Sequence, residues 1–244
     1  MEEAHTMLCK GNFPVNIDFQ LGTIMLINKP LGWTSFDVVN RVKYAIKHNH
    51  GLKKIKVGHG GTLDPMADGL IIVCTGKYTK LLEHLSNENK SYTATFKIGC
   101  TTPCYDREAE EENHIDSTHI TKEVIENSKQ KFLGKINQIP PIFSAIKIKG
   151  KNAYTLARRG ADIELKSREV EVYNFEISDI SLPFIKCDLT VSKGTYIRSI
   201  ANDFGKEIGV GAYLYGLTRT SINQHQLQNA LEIDEVINYI KQNV

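Results

Sequence analysis

The sequence predicts an α+β protein with a mixed, mostly antiparallel sheet flanked by helices and loops. Three observations predict it. Strand-like segments come in pairs, helical segments are interspersed without regular βαβ alternation, and a chain that is 41% apolar and 24% charged has the balance of a folded globule with a sizeable core. No internal repeat, low-complexity tract or Pro/Gly/Ser linker divides the 244 residues. The expectation is an N-terminal extension over 1–21, which carries no motif, and a single domain over 22–244.

The elements follow in order. Gly22 to Asn28 reads as a buried strand closed by the turn Lys29-Pro30-Leu31-Gly32. Thr34 or Ser35 can cap a helix in which Val38, Val42 and Ile46 recur at helical spacing to about His48. A glycine-dense loop, Gly58-His59-Gly60-Gly61-Thr62-Leu63-Asp64-Pro65, precedes a buried strand over Gly69–Cys74. Tyr92, Ala94, Phe96 and Ile98 alternate with Ser91, Thr93, Thr95 and Lys97, the pattern of a strand with one face in the core. Ile120 to Phe132 is helical in composition, and Ile142 to Ile148 reads as a strand after the Pro140-Pro141 break. Val170, Val172 and Ile177 suggest another strand, and Ile185, Cys187, Leu189 and Val191 a further one, closed by Lys193-Gly194. A helix through Ile197, Ile200, Ala201, Phe204 and Ile208 stops at Gly209, and Ile233, Val236, Ile237 and Ile240 mark a docking helix.

Several function classes lack their residues. Apolar runs such as Leu70–Cys74 are far short of the roughly 18 residues of a membrane span. Met1-Glu2-Glu3 does not open a secretory signal, and five scattered cysteines (Cys9, Cys74, Cys100, Cys104, Cys187) fit reduced thiols, so a cytoplasmic location is expected. Gly76-Lys77-Tyr78-Thr79 lacks the earlier glycine and the Ser or Thr of a phosphate loop. Neither His-Glu-x-x-His nor Gly-x-Ser-x-Gly is present, and Cys100 and Cys104 have no second pair to make a zinc site.

The net charge of +2 hides a lopsided distribution. Between Asp37 and Asp64 lie Arg41, Lys43, Lys47, Lys53, Lys54, Lys56 and three histidines, with no acid. A second basic cluster comprises Lys147, Lys149, Lys151, Arg158, Arg159, Lys166 and Arg168, whereas Asp106–Glu112 is acidic. Such patches are either solvated faces or the footprint of a polyanionic partner.

The loop over 58–69 is the strongest local feature. Gly58, Gly60, Gly61 and Gly69 bracket Asp64, a density that is entropically costly unless backbone must turn sharply or approach a ligand. Turn chemistry alone explains such a loop as readily as display of a carboxylate. Asp64 could act as nucleophile or base, but an isolated aspartate has an ordinary pKa of about 4 and needs a partner to hold it ionised away from water. Arginine, always charged and able to fork onto a carboxylate, is the natural one. His59, Asp64 and Asp68 could instead hold a hard cation, although Pro65 argues against one continuous helix across the two acids.

Lys56-Val57-Gly58-His59-Gly60-Gly61-Thr62-Leu63-Asp64-Pro65-Met66-Ala67-Asp68-Gly69-Leu70 resembles the catalytic motif of the tRNA pseudouridine synthases that modify uridine 55 in the T loop. Four further segments resemble that family's other motifs, in order: Lys29-Pro30-Leu31-Gly32-Trp33-Thr34-Ser35, Lys90-Ser91-Tyr92, Gln138-Ile139-Pro140-Pro141-Ile142-Phe143-Ser144-Ala145-Ile146-Lys147, and Gly194-Thr195-Tyr196-Ile197-Arg198-Ser199-Ile200. The likeness runs from about Gly22 to Thr220. It implies the pseudouridine synthase catalytic fold and an isomerase that cleaves the N-glycosidic bond and rejoins uracil through carbon. Asp64 would be the catalytic aspartate, Tyr92 the tyrosine that stacks on the target base and assists proton removal, and Arg198 the arginine that pairs with the aspartate. His59, Tyr196 and Leu217 match substrate-contacting positions, and Lys29-Pro30 a turn supporting the catalytic loop. No cofactor and no metal are implied.

The expected partner is therefore the T arm of tRNA, gripped by basic residues of the 41–56 and 147–168 regions, with no membrane and a monomer as the default. Longer family members carry a small RNA-binding domain after the catalytic one, for which the 24 residues beyond Thr220 are too few. Two other readings compete. A non-catalytic RNA-binding or remodelling protein on the same fold would tolerate loss of Asp64, and a metal-dependent hydrolase built on His59, Asp64 and Asp68 would fail in chelator.

Overall fold

The computed structural model describes residues 5–144, 147–148, 151–152 and 165–243. Its contacts divide the chain into two compact units, one up to Tyr92 and again from Thr218, the other Thr93–Leu217.

In the first unit, β1 (Met7–Leu8) and β13 (Leu231–Glu232) both pair in parallel with β2 (Ile24–Lys29). Antiparallel to β2 runs β4 (Ala67–Thr75), in a register that sets Ile24 opposite Cys74 and Lys29 opposite Gly69, and β3 (Val57–His59) lies antiparallel to β4. Both faces of this sheet are covered. Met25, Ile27, Ile71 and Val73 point into one cluster with Val38, Val42 and Ile46 of α1 (Ser35–Asn49) and Val236, Ile237 and Ile240 of α5 (Ile233–Gln242). Ile24, Leu26, Leu70, Ile72 and Cys74 point into a second, with Ile222 and Ala230. Burial on both faces is why these strands read as unbroken apolar runs instead of alternating ones. Helix α1 starts where expected, with Thr34 accepting from Asp37 N and Asp37 accepting from Thr34 N in a capping box. The N-terminal segment is packed: Leu8, Ile17 and Phe19 are buried in the first cluster.

The second unit is built on a sheet in which β5 (Lys90–Ile98) neighbours β10 (Phe184–Val191), followed by β9 (Arg168–Ser181) and β6 (Gly134–Gln138), with β9 antiparallel to both β10 and β6. The alternation of β5 is complete, with Ala94, Phe96 and Ile98 buried and Thr93, Thr95 and Lys97 half-buried. Against the sheet lie α3 (Lys122–Gln130), capped by Thr121, and α4 (Ile197–Glu207). The core is built on Phe96, Phe132, Phe175 and Phe204, with ring centroids 6.0–6.3 Å apart in the contacting pairs. Helix α4 ends as the sequence predicts: Gly209 takes φ +81° and its N–H returns to Lys206 O.

Two parts differ from the sequence reading. Among the described residues of the strand expected over 142–148, Lys147–Ile148 (β7) is a strand, paired with Lys151–Asn152 (β8). After Pro140-Pro141 the chain bends, Ser144 N donating to Ile142 O at 3.0 Å, and 145–146 lie outside the described residues. The second is β11 (Ala212–Ile222), eleven residues interrupted by Gly216 and by polar side chains, which hide its strand character from a periodicity argument. Two short elements complete the chain: α2 (Leu82–Asn87) and β12 (His225–Gln226), the latter paired with the end of β11.

Candidate active site

In the first unit the glycine-dense loop joins β3 to β4, and Asp64 sits half-buried at its turn. The loop is pinned from several sides. Gly60 N donates to Ile72 O at 2.8 Å, and Ala67 N closes a turn onto Asp64 O at 3.1 Å. Ser35, at the start of α1, clamps Leu63: its Oγ accepts from Leu63 N at 2.8 Å and donates to Leu63 O at 2.9 Å. The Lys29–Gly32 turn supports the loop directly, Gly32 N donating to Pro65 O at 2.8 Å.

Three buried cations surround this loop. Lys29 is fully buried, donating to Trp33 O at 2.6 Å and Pro30 O at 3.0 Å. Burial pushes its pKa down to about 8, against the pull of the nearby Asp68 and Asp64 carboxylates. Lys90 donates to Glu88 O and Ser86 O, and burial, aided by the charge of Arg219, pushes it down to about 8. Arg219, 1% exposed, donates from Nε to Leu70 O at 2.7 Å and from Nη2 to Gly61 O at 3.1 Å. The neighbouring Tyr92 side chain favours the charged form of Arg219 against the penalty of burial. Tyr92 is 7% exposed, a core ring as well as a site candidate. His59 ends β3 half-buried, and burial, then the Arg219 charge, holds its pKa below the ordinary value, so the ring is neutral at pH 7. The first unit thus holds His59, Asp64 and Tyr92, with Arg219 beside His59 and Tyr92 and bonded to the backbone of the Asp64 loop.

The second unit holds the other three. Arg198, on the first turn of α4, is 6% exposed and not at the surface, as a lone arginine at a helix start would be. It forms an ion pair with Asp106 Oδ2 at 3.4 Å and donates to Cys104 O at 3.2 Å and Phe143 O at 3.0 Å. Tyr196 precedes α4 and its backbone is clamped by one amide side chain: Tyr196 N donates to Gln138 Oε1 at 2.8 Å, and Gln138 Nε2 donates to Tyr196 O at 3.1 Å. The Arg168 guanidinium lies over the Tyr196 ring, 4.7 Å from its centroid, and donates to Gly194 O. Leu217 is half-buried on β11.

Sequence reasoning missed Asp106, Gln138 and Arg219, and read Lys29 only as part of a turn. Asp106 was concealed in an acidic run, and Gln138 opens a motif whose prolines drew attention first. Arg219 gave no local signal at all. Among the described residues, only Cys100, Glu111 and His114 bring three metal-type donor atoms within 4.8 Å of one another; His59, Asp64 and Asp68 do not. Glu111 there already accepts from Lys97 at 2.6 Å and Tyr213 at 2.5 Å, so the cluster is a hydrogen-bonded network with its own cation.

Residues 47–197 match the model of the TruB family pseudouridylate synthase N-terminal domain, a span that includes the Asp64 loop and Tyr92. The chain is 47% identical over 228 residues to a tRNA pseudouridine synthase B of Parabacteroides distasonis, covering 93% of this chain and 97% of that protein. It is 49% identical over 220 residues to the enzyme of that name from Chloroherpeton thalassium, covering 90% of each. Among solved structures it resembles a chain of a Cbf5-Nop10-Gar1 complex, with a TM-score of 0.70 at 26% identity, covering 98% of this chain and 61% of that one. A chain of an H/ACA RNP bound to a substrate RNA containing 2′-deoxyuridine superposes with a TM-score of 0.65 at 25% identity, covering 91% of this chain and 54% of that one. The chain therefore spans little more than half the length of those solved chains, but nearly the whole of its curated relatives. With close to one residue in two shared along almost its full length, and an Asp64 loop built and braced as a unit, the chain belongs to the TruB family of pseudouridylate synthases.

Proposed function

We propose that this protein isomerises uridine 55 in the T loop of tRNA to pseudouridine, with Asp64, Tyr92 and Arg198 as catalytic residues and His59, Tyr196 and Leu217 contacting the substrate. The observation that carries the proposal is the Asp64 turn, held by Ser35, Gly32 and Arg219 within a chain of this family. The reaction breaks N1–C1′ and forms C5–C1′; the C5 proton goes to solvent and N1 takes one up, so no oxidant or external group is consumed. A uridine in a folded loop must leave its stack first, at a cost of a few kcal/mol that stacking and phosphate contacts offset. Tyr92 supplies an aromatic face for the flipped base. His59, neutral at pH 7, offers a hydrogen bond and not a charge.

The cations of the first basic stretch, Arg41, Lys43, Lys47, Lys53, Lys54 and Lys56, are all exposed and suit the phosphates of the T arm. In the second stretch Lys149, Arg158 and Arg159 lie outside the described residues. No helix among the described residues is long and apolar enough to cross a membrane. The test is incubation of the purified protein with an unmodified tRNA transcript, with EDTA present, and mapping of pseudouridine by sequencing after carbodiimide treatment. One new pseudouridine in the T loop, absent with Asp64→Asn although that variant still binds tRNA, is the expected result. Binding without pseudouridine would refute catalysis on that substrate.

A further inference from the structure

Arg219 lies outside the catalytic set above, yet it is the largest fully buried side chain among the described residues. Its acceptors flank Asp64 on both sides in sequence. Gly61 O and Thr62 O, the latter 3.5 Å from Nη1, precede the aspartate, and Leu70 O follows it. The same guanidinium has the Tyr92 side chain as an electrostatic neighbour. The loop is also shaped to fit this arginine. Gly69 has φ +100°, and a Cβ there would lie 2.4 Å from Arg219 O; at Gly61, with φ +102°, a Cβ would lie 3.6 Å from Arg219 Nη1 and 3.3 Å from Lys90 Cε. A buried charge satisfied by backbone carbonyls, in company with Lys29 and Lys90, is a costly way to fill space, since an apolar side chain of like volume would pack at lower cost. What the guanidinium supplies that an apolar group cannot is a rigid planar fork with several fixed donor directions.

We propose that Arg219 is a positioning residue for catalysis: one guanidinium fixes both ends of the Gly61–Leu70 segment and the Tyr92 side chain, and so sets the Asp64 carboxylate and the Tyr92 ring in one mutual geometry. This rests on the reading of Asp64 and Tyr92 as catalytic. Arg219 acts through them and touches no reacting atom. Lysine at this position keeps the charge but, as a point donor, cannot hold all the acceptors together, and glutamine loses the charge as well. Displacing a reacting group by about 1 Å can cost about 100-fold in rate.

The experiment compares wild type, Arg219→Lys and Arg219→Gln in single-turnover assays on a tRNA transcript labelled with tritium at uridine C5, alongside tRNA binding and backbone hydrogen exchange. The expected result for Arg219→Lys is a rate about 10-fold or more below wild type, with tRNA affinity within about 3-fold and full reaction amplitude. Arg219→Gln should be slower still, and exchange should quicken over 60–72 and around Tyr92 while α4 keeps its protection. A rate within about 2-fold of wild type in Arg219→Lys, or a loss confined to amplitude, makes the role purely structural and overturns the proposal. So does recovery of both variants only in unfolded form. Failure of the wild type itself to release tritium refutes the functional reading instead; unchanged exchange over 60–72 in Arg219→Lys then rejects the brace on its own.

Discussion

The pair Arg198–Asp106 shows how a residue's environment decides its worth. Both side chains are nearly fully buried, and removing the carboxylate charge takes a close ionic partner from a guanidinium shielded from water. Asp106→Asn should therefore cost about 3 kcal/mol in denaturant unfolding and lower turnover, whereas substituting an exposed acid of the same run, such as Glu112→Gln, should do neither. Lys29 gives a prediction of opposite character. Its folded pKa, about 8, is below the 10.5 of a free lysine, so between those values the unfolded chain binds the proton that the folded chain has released. Stability contributed at this site must rise with pH across that window. Unfolding of wild type and Lys29→Met at pH 8 and pH 10 should shift in the wild type's favour at the higher pH; a constant difference would show that the ammonium stays charged throughout. At this scale the sequence made Asp64 legible, because glycines around a lone carboxylate are a local signal. It could not reveal Arg219 or Asp106, whose partners are about 150 and 90 residues away along the chain. Only the fold shows what they touch.

Elements whose burial follows a simple period were readable from the chain. Helices α1, α4 and α5 and strands β5 and β10 fall where apolar spacing and cap residues put them, within a residue or two at their ends. Strand β11 was not readable, since Gly216, Thr218 and Thr220 break its pattern and its burial comes from neighbours instead of its own alternation. The joint between α1 and the Asp64 loop gives the element-scale prediction. Ser35 satisfies both backbone groups of Leu63, and both are buried, so Ser35→Ala strands a donor and an acceptor. The expected cost is about 2 kcal/mol in thermal or denaturant unfolding, with a larger proportional loss of turnover than of tRNA binding. Ser35→Thr, which keeps the hydroxyl, should recover part of both.

For the whole molecule, the question is how a chain of net charge +2 grips a polyanion. Acids and bases are not evenly mixed. In the acidic run, Asp106 faces Arg198 and Glu111 faces Lys97 and Tyr213, so two of its charges are turned inward. Lys54, Lys56, Lys77 and Lys80, by contrast, line a concavity of about 260 Å³ that suits a phosphate backbone. Replacing Lys54 and Lys80 together by alanine should weaken tRNA binding about 10-fold near 0.1 M salt and reduce the slope of log K against log salt by about 1 to 2, with the rate on bound tRNA unchanged. The first unit is discontinuous in sequence, closing only when residues from Thr218 onward join those before Tyr92. Its assembly therefore has an order in time. A ribosome makes the Asp64 loop early and Arg219 near the end, so throughout most of synthesis the nascent chain carries its aspartate on a loop without the Arg219 hydrogen bonds. On the role proposed for Arg219, a message cut short before codon 219 would yield a chain that has Asp64 and lacks the guanidinium that holds its loop.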